Sequence, residues 1–279
     1  MKIQTLAVGL LLATGANAAS AYECQYSEKL SLDLDAGSAE SFTVDAGAGS
    51  LSIRGVDGSG AVRIEGTACA SDADDLEQMR LEDESRGDRL AVRTEIPETS
   101  GGWFGGRSYA RIDLVIEVPT SLSLRIDDGS GSIELENVGN TWIEDGSGEI
   151  HVRDVFGDLE IDDGSGEIDV VNVTGNVTVE DGSGEIEIEG VQGFVTIIDD
   201  GSGEIEIANV QRDVSIGDDG SGSIVIEDVI GNVIIDSDGS GSIEVRNIGG
   251  NFEVGRDGSG GVRYTRVDGD VRVPGERYK

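Results

Sequence analysis

The stretch Asp181-Gly182-Ser183-Gly184-Glu185-Ile186-Glu187-Ile188 decides the fold, because close copies of it follow one another through the C-terminal half of the chain. From Asp128 onward the Asp-Gly-Ser-Gly tetrads lie 17, 18, 18, 19, 19, 19 and 19 residues apart. A short and regular period of this kind is typical of stacked coils, each of which buries its apolar face against its neighbours. The tetrads begin at Asp57, Asp128, Asp145, Asp163, Asp181, Asp200, Asp219, Asp238 and Asp257.

Five apolar positions recur after each tetrad, and from Asp128 onward only Thr141 breaks their apolar or aromatic character. Nearly all of them hold Val or Ile, whose branched Cβ favours extended backbone. The spacing of two within a pair predicts two short strands per copy, each with one buried face. The tetrad forms one corner, since its glycines permit positive φ and its Asp can accept bonds from the N–H groups just ahead. In one copy the five positions are Ile186, Ile188, Val191, Val195 and Ile197.

Two all-β architectures fit short strands separated by turns: stacked parallel coils, or an antiparallel β meander. The identity of the copies at each position favours stacking, and parallel crossovers are nearly always right-handed. We therefore predict a right-handed, single-stranded parallel β-solenoid of about eight coils of 17–19 residues. The 19-residue coils carry one extra residue before the Asp, which predicts a bulge from Asp200 onward. A side-chain ladder is expected before the corner valine, at Asn137, Asp154, Asn172, Asn209, Asp228 and Asn247.

The pattern divides the chain into four segments. Residues 1–18 have a basic start, a short apolar core and an Ala-Asn-Ala cleavage site, as in a secretory signal peptide. Residues 19–120 are predicted to form a β-rich capping module with a short helix, since a solenoid end must cover unpaired strand edges. Residues 121–273 carry the regular coils, and residues 274–279 are a charged tail.

Within the cap, the segment from Val44 to Ile53 reads as a degenerate copy of the repeat, and Asp57 is expected to open another. Ser71 is predicted to N-cap the helix, because acidic residues follow it. Cys24 and Cys69 are the only cysteines. In an exported chain they predict one disulfide between the N-terminal strand and the first module, since no His or CxxC spacing supports a metal site.

The chain has 20 Lys and Arg against 56 Asp and Glu, a formal net charge of -36. This surface disfavours nucleic acid and anionic lipid as partners. Stacking would align outward carboxylates in two rows, which a solvated surface tolerates and weak Ca²⁺ binding would relieve. The first row is Glu149, Glu167, Glu185 and Glu204; the second is Glu134, Asp169, Glu187, Glu206 and Glu244.

Other candidate sites are few. Trp103 and Phe104 stand together on a glycine-flanked stretch, where they either cover the core of the cap or contact a partner. His151 is the sole histidine and occupies an outward position, so a histidine-based triad or zinc site has little to draw on. Polysaccharide lyases place catalysis under long inserted loops, which these coils lack. An enzyme is not expected.

The strand ending Ile116-Glu117-Val118-Pro119, the following Leu122 to Ile126 and the Gly-Ser-Gly coils with Val-x-Gly-Asn corners resemble one bacterial family. It is the family of putative adhesins with β-strand repeats, related to the head-GIN domain, and the resemblance covers about residues 40–273. It implies an exported, single-stranded right-handed β-helix of unknown function and supplies no catalytic residues.

Three functions are compatible with these features. The first is a non-enzymatic, adhesin-like interaction scaffold at the cell envelope, in the periplasm or at the surface, whose partner is an envelope protein or a glycan. The second is an acidic solenoid whose stability depends on Ca²⁺. The third is a carbohydrate-active enzyme, which turnover of a glycan would reveal.

Overall fold

The computed structural model describes residues 24–97 and 108–274, which form 24 strands and one short helix. The cap consists of β1 Tyr26–Asp35, β2 Ser41–Ala48, β3 Leu51–Val56, β4 Ala61–Ala70, α1 Ala73–Leu76, β5 Arg80–Asp83, β6 Arg89–Glu95 and β7 Ala110–Pro119. The first four regular coils are β8 Ser123–Ser130, β9 Ile133–Val138, β10 Thr141–Asp145, β11 Gly148–Val155, β12 Leu159–Asp163, β13 Gly166–Val173, β14 Val177–Asp181 and β15 Ile186–Val191. The rest are β16 Val195–Asp200, β17 Gly203–Val210, β18 Val214–Asp219, β19 Gly222–Val229, β20 Val233–Asp238, β21 Gly241–Ile248, β22 Phe252–Asp257, β23 Gly260–Val267 and β24 Val271–Arg272.

Each regular coil gives one strand to each of two facing sheets, and like strands pair in parallel from coil to coil. Sheet 1 runs β1-β4-β7-β3-β9-β11-β13-β15-β17-β19-β21-β23, and sheet 2 runs β24-β22-β20-β18-β16-β14-β12-β10-β8-β2-β6-β5. The parallel solenoid of eight regular coils is confirmed, and the antiparallel meander is excluded. The right-handed sense of the coil stays a prediction.

The core lies between the two sheets and is built from the repeated apolar positions. Ile186, Ile188, Val191, Val195 and Ile197 are each fully buried, as are their equivalents in the neighbouring coils. Thr141, the one polar exception, is also buried, and its hydroxyl donates to the carbonyl oxygen of Gly139 at 3.1 Å. A hydroxyl is therefore accepted in this core because it has a backbone partner.

The bulge in sheet 2 is confirmed. Between β14 and β16, Val179 pairs with Ile197 while Asp181 pairs with Asp200, so the longer strand gains one residue. Later strands keep the added residue in register, since Asp199 pairs with Asp218. The extra residue thus shifts the register of sheet 2 once, between β14 and β16, and every later coil contains it in register.

The position before the corner valine is left-handed, which explains its residue types. Six Asn and Asp residues there have φ between 56° and 64°, a region that these two residue types tolerate better than most. The predicted side-chain ladder is also present in part. Asn172 donates to Asp154 at 3.0 Å, and Asn247 donates to Asp228 at 2.7 Å. The six residues are Asn137, Asp154, Asn172, Asn209, Asp228 and Asn247.

The cap is interleaved rather than stacked in chain order. The coil formed by β2 and β3 lies between the coil formed by β6 and β7 and the first regular coil, β8 and β9. The segment from Val44 to Ile53 is therefore a true copy of the repeat, as predicted. Beyond β7, strands β4 and β1 add to sheet 1 in antiparallel fashion, and β5 adds to sheet 2 in the same way.

Two local predictions for the cap are wrong. Asp57 does not open a coil: β4 comes after its tetrad and runs antiparallel to β7, and the exposed Asp57 carboxylate accepts a bond from Thr120 at 2.7 Å. The N-cap of α1 is Asp72, whose side chain accepts from the Asp74 N–H at 2.8 Å. Ser71 is engaged elsewhere, because its hydroxyl accepts the Tyr109 N–H at 3.1 Å.

Cys24 and Cys69 form a disulfide, with Cα atoms 5.4 Å apart. This is the bridge that the cysteine count predicts. It ties the residues entering β1 to the buried end of β4, and so fixes the outermost strand of sheet 1. Closing such a loop typically adds about 2–4 kcal/mol to stability.

Candidate functional site

The outward surface of sheet 1 carries a dense set of carboxylates, which we call the acidic face. β15 presents two exposed carboxylates, Glu187 and Glu189, in alternation with its buried residues, and the exposed Glu185 lies just before it. The strands on either side add more, because like positions lie opposite one another in the parallel register. The acidic face comprises Glu149, Glu167, Asp169, Glu185, Glu187, Glu189, Glu204 and Glu206.

The two predicted rows are only partly continuous. In the second row Asp169 pairs with Glu187, and Glu187 pairs with Glu206, so three carboxylates are consecutive neighbours. His151 separates Glu134 from this group, and Val225 separates Glu244 from it. In the first row Glu149 pairs with Glu167, and the row ends where Glu204 pairs with Ser223.

One end of the acidic face contains basic side chains and its centre does not. Arg153 lies 2.9 Å from the Asp169 carboxylate, and the two His151 ring nitrogens lie 3.6 Å and 3.7 Å from Asp169 and Glu149. At the centre, partial burial raises the pKa of Glu187, and the neighbouring carboxylates, chiefly Asp169 and then Glu206, raise it further. The centre of the face therefore carries negative charge that no basic side chain of the described residues offsets.

No three His, Cys, Asp or Glu side chains among residues 24–97 and 108–274 converge in a way that could hold a metal ion. Outward carboxylates from adjacent coils are neighbours in a row rather than members of a cage. Any Ca²⁺ binding on the acidic face would need side chains to turn toward one another and water to complete the coordination.

A second set of carboxylates points into the solenoid, and we call it the inward aspartate row. It consists of the first residue of seven tetrads, from Asp128 to Asp238, each at or near the end of a sheet 2 strand. Each member pairs in register with the next, and their exposed fractions are 0–4%. The members are Asp128, Asp145, Asp163, Asp181, Asp200, Asp219 and Asp238.

The inward aspartate row is short of hydrogen bonds. In Asp163, Asp181 and Asp200, Oδ1 accepts the N–H of the serine two residues ahead at 3.1 Å, which is the turn bond predicted for the tetrad. The Oδ2 atoms of these three residues are buried and have no partner. For Asp219 and Asp238, neither carboxylate oxygen has a donor in good hydrogen-bond geometry, although the N–H groups of Ser221 and Ser240 are near enough to lower the pKa.

Burial and mutual repulsion raise the pKa of this row. Burial is the largest cause throughout, and it brings the pKa of Asp163 and Asp181 to about 6. Burial together with the adjacent Asp carboxylates brings the pKa of Asp128 and Asp219 to about 7. Two charges about 4.8 Å apart repel by roughly 3.5 kcal/mol at an effective dielectric constant of 20, so full ionisation of the row is unfavourable.

The sequence pattern also predicts that the aspartates of this row point inward, but the same residues are explained equally well as turn residues. In the shorter coils the Asp lies two residues after the last apolar position, as Asp145 follows Ile143. Side chains two residues apart on a strand point to the same face, so the Asp side chain points inward. The turn-forming role of Asp accounts for the same residue equally well. Burial of a carboxylate in every coil could nevertheless have been predicted from the period of two.

A shallow groove of about 440 Å³ lies on sheet 2, beside the first strands of the solenoid. Trp142 lines it, and the guanidinium of Arg125 stacks on the indole 3.4 Å from the ring centroid. Asn140, Asp158 and Asn176 line it too, but their side chains accept backbone N–H groups of the following coil. The polar groups of the groove therefore already hold the coils together. Trp103 and Phe104 lie outside the described residues.

Comparison with known proteins agrees with this geometry. A model of the family described as Toastrack DUF4097 matches residues 62–276. A solved structure of a putative lipid binding protein from Parabacteroides distasonis ATCC 8503 is 21% identical, with a TM-score of 0.52 over 89% of this chain and 97% of that one. A putative adhesin (BF0245) from Bacteroides fragilis NCTC 9343 is 14% identical, with a TM-score of 0.44 over 88% of this chain and 96% of that one. No curated protein matches. The predicted resemblance is confirmed.

Proposed function

The chain belongs to the Toastrack DUF4097 family, and on that premise we propose that it is a non-enzymatic, adhesin-like interaction scaffold of the bacterial cell envelope. The acidic face of sheet 1 is the observation that carries this proposal. It spans the four neighbouring sheet 1 strands β11, β13, β15 and β17 and presents unneutralised charge at its centre on a two-sheet support. Such a surface suits a cationic segment of an envelope protein, or a glycan that bears amino groups.

The family resemblance and the signal-peptide pattern of residues 1–18 support export. No helix in the described ranges 24–97 and 108–274 is long and apolar enough to cross a membrane. The Parabacteroides distasonis protein is described as lipid binding. We do not extend that role to this chain, because a net charge of -36 opposes approach to anionic headgroups.

Neutralising the centre of the acidic face is expected to weaken binding at least tenfold. The variant is Glu185→Gln/Glu187→Gln/Glu189→Gln in residues 19–279, and the probes are immobilised envelope fragments, purified peptidoglycan and polylysine. The matched control removes three outward carboxylates of sheet 2, as Glu144→Gln/Asp162→Asn/Glu180→Gln. The proposal is supported if the control variant retains saturable binding and the Glu185→Gln/Glu187→Gln/Glu189→Gln variant loses it.

The same assay separates the competing functions. Equal binding by both triple variants contradicts a role for the acidic face. If Trp103→Ala/Phe104→Ala abolishes binding without lowering stability, the contact lies on that segment. Release of new reducing ends from any glycan would show an enzyme.

Calcium dependence is the second candidate function, favoured by the run of adjacent carboxylates at Asp169, Glu187 and Glu206. At constant ionic strength, millimolar Ca²⁺ is expected to raise the melting temperature of residues 19–279 by several degrees over EDTA, because the ion would relieve repulsion between coils. The Glu185→Gln/Glu187→Gln/Glu189→Gln variant should lose this rise. An unchanged melting temperature in the unaltered protein contradicts calcium binding.

A further inference from the structure

The inward aspartate row is unusual because it places one buried carboxyl group per coil with no basic side chain of the described residues beside it. Every charged group that raises the pKa of the row is itself an aspartate. These are its own members, Asp257 at its end, and the outward Asp127, Asp162, Asp199 and Asp218 on the same strands. The buried side chains that sheet 1 contributes to the same interior are apolar, as Ile168 and Ile186 illustrate. No Arg, Lys or His side chain of the described residues stabilises the ionised form of the row.

The unpartnered oxygens decide what can occupy the row. A buried carboxylate oxygen without a donor is costly, and the stacked Oδ2 atoms of Asp163, Asp181 and Asp200 are all of this kind. A metal ion would need several oxygens to converge, and no three acidic, His or Cys side chains of the described residues do so. A proton needs one oxygen to carry it and one to accept from it.

We propose that the inward aspartate row is a proton-binding site, in which protons are shared between the carboxyl groups of consecutive coils at neutral pH. The proton sits on one carboxyl oxygen and is donated to the unpartnered carboxylate oxygen of the next coil. Each shared proton removes one like-charge contact and supplies one missing hydrogen bond. The row then links coil to coil along the inside of the rod, parallel to the backbone ladders, for as long as it holds its protons.

Infrared spectroscopy of residues 19–279 tests this directly, because protonated carboxyl groups absorb apart from carboxylates. The protein is placed in metal-free tetramethylammonium buffer and titrated from pH 5 to pH 9. We expect a protonated-carboxyl band that persists at pH 6–7, well above the titration of exposed aspartates, and disappears toward pH 9. Complete ionisation by pH 6 overturns the proposal. So does a stoichiometric metal ion that stays with the protein and whose removal unfolds it.

Neighbouring aspartates supply a matched pair of variants. Asp199 and Asp218 are exposed, whereas Asp200 and Asp219 are fully buried one residue further along the same strands. Asp200→Asn/Asp219→Asn should remove part of the neutral-pH band. Asp199→Asn/Asp218→Asn should keep the band at pH 6 and lower the pH at which it disappears only slightly, because the outward aspartates are a lesser cause of the raised pKa than burial. Equal bands in the two variants overturn the proposal. If the first variant fails to fold, the titration of the unaltered protein still decides.

Discussion

Raising the pH from 5 to 8 is expected to lower the free energy of unfolding of this protein by several kcal/mol, the reverse of ordinary acid denaturation. An aspartate has a pKa near 3.9 in an unfolded chain. In the folded chain the pKa is about 6 for Asp163 and Asp181 and about 7 for Asp128 and Asp219. The folded state therefore binds more protons than the unfolded state between about pH 4 and pH 7, and stability falls as pH rises through that window.

The pKa shifts set the size of the effect. Moving the pKa of one aspartate from 3.8 to about 6 corresponds to roughly 3 kcal/mol. Because neighbouring members titrate as a coupled set, the row contributes less than the sum of its members. Above about pH 8 the row is ionised, and the free energy of unfolding should become nearly constant.

Urea unfolding at fixed ionic strength between pH 4.5 and pH 8.5 measures this dependence. Acidification also reduces the repulsion between surface carboxylates, and this too makes the protein more stable at low pH. That contribution is screened by salt, whereas the contribution of the buried row is not. The decrease should therefore persist at 0.5 M salt, at which the Debye length is only about 4 Å. A stability that rises from pH 5 to pH 8, or a decrease that high salt abolishes, contradicts a buried origin.

Gly184→Ala is expected to cost more than about 4 kcal/mol, a loss reserved for substitutions with a specific structural conflict. A Cβ at this position would lie 1.5 Å from the carbonyl oxygen of Gly166 in the preceding coil, and φ is +154°. The obstacle is backbone, so no side chain can move aside. Relief requires the two coils to separate, which breaks the parallel ladder on both sides.

Gly261→Ala is the matched control. Nothing lies within 4 Å of a Cβ built there, so its stability should be unchanged or raised by up to about 1 kcal/mol. Far-ultraviolet circular dichroism with urea unfolding compares the two variants. Similar midpoints for Gly184→Ala and Gly261→Ala would mean that the coils are not stacked as closely as the structure has them.

The solenoid was predictable from the sequence because its information is local and repeated. The tetrad spacing sets the coil length, the Val and Ile pairs set the buried faces, and the extra residue before Asp200 sets the bulge. The cap resisted prediction because its pairing is not local. The tetrad at Asp57 is identical to those of the coils, yet the strand after it, β4, is placed by an antiparallel partner, β7, some 50 residues later.

The candidate site was predictable in its residues and less so in its contacts. The carboxylates of the acidic face lie outward in register as expected, while the interruptions at His151 and Val225 come from residues that occupy the same outward position in other coils. The sequence predicts the aspartates of the inward row as turn residues and does not predict that their carboxyl groups are buried. Only the structure shows that some of these carboxylate oxygens are buried without a hydrogen-bond donor, and this is what marks the row as a candidate site.

The interleaved cap has a consequence for the order of assembly. The coil made by β2 and β3 is covered on one side by β6 and β7 and on the other by β8 and β9. A chain that emerges from its N-terminus thus holds its first coil incomplete until residues near 135 are available. From then on each new coil finds a finished edge to pair with.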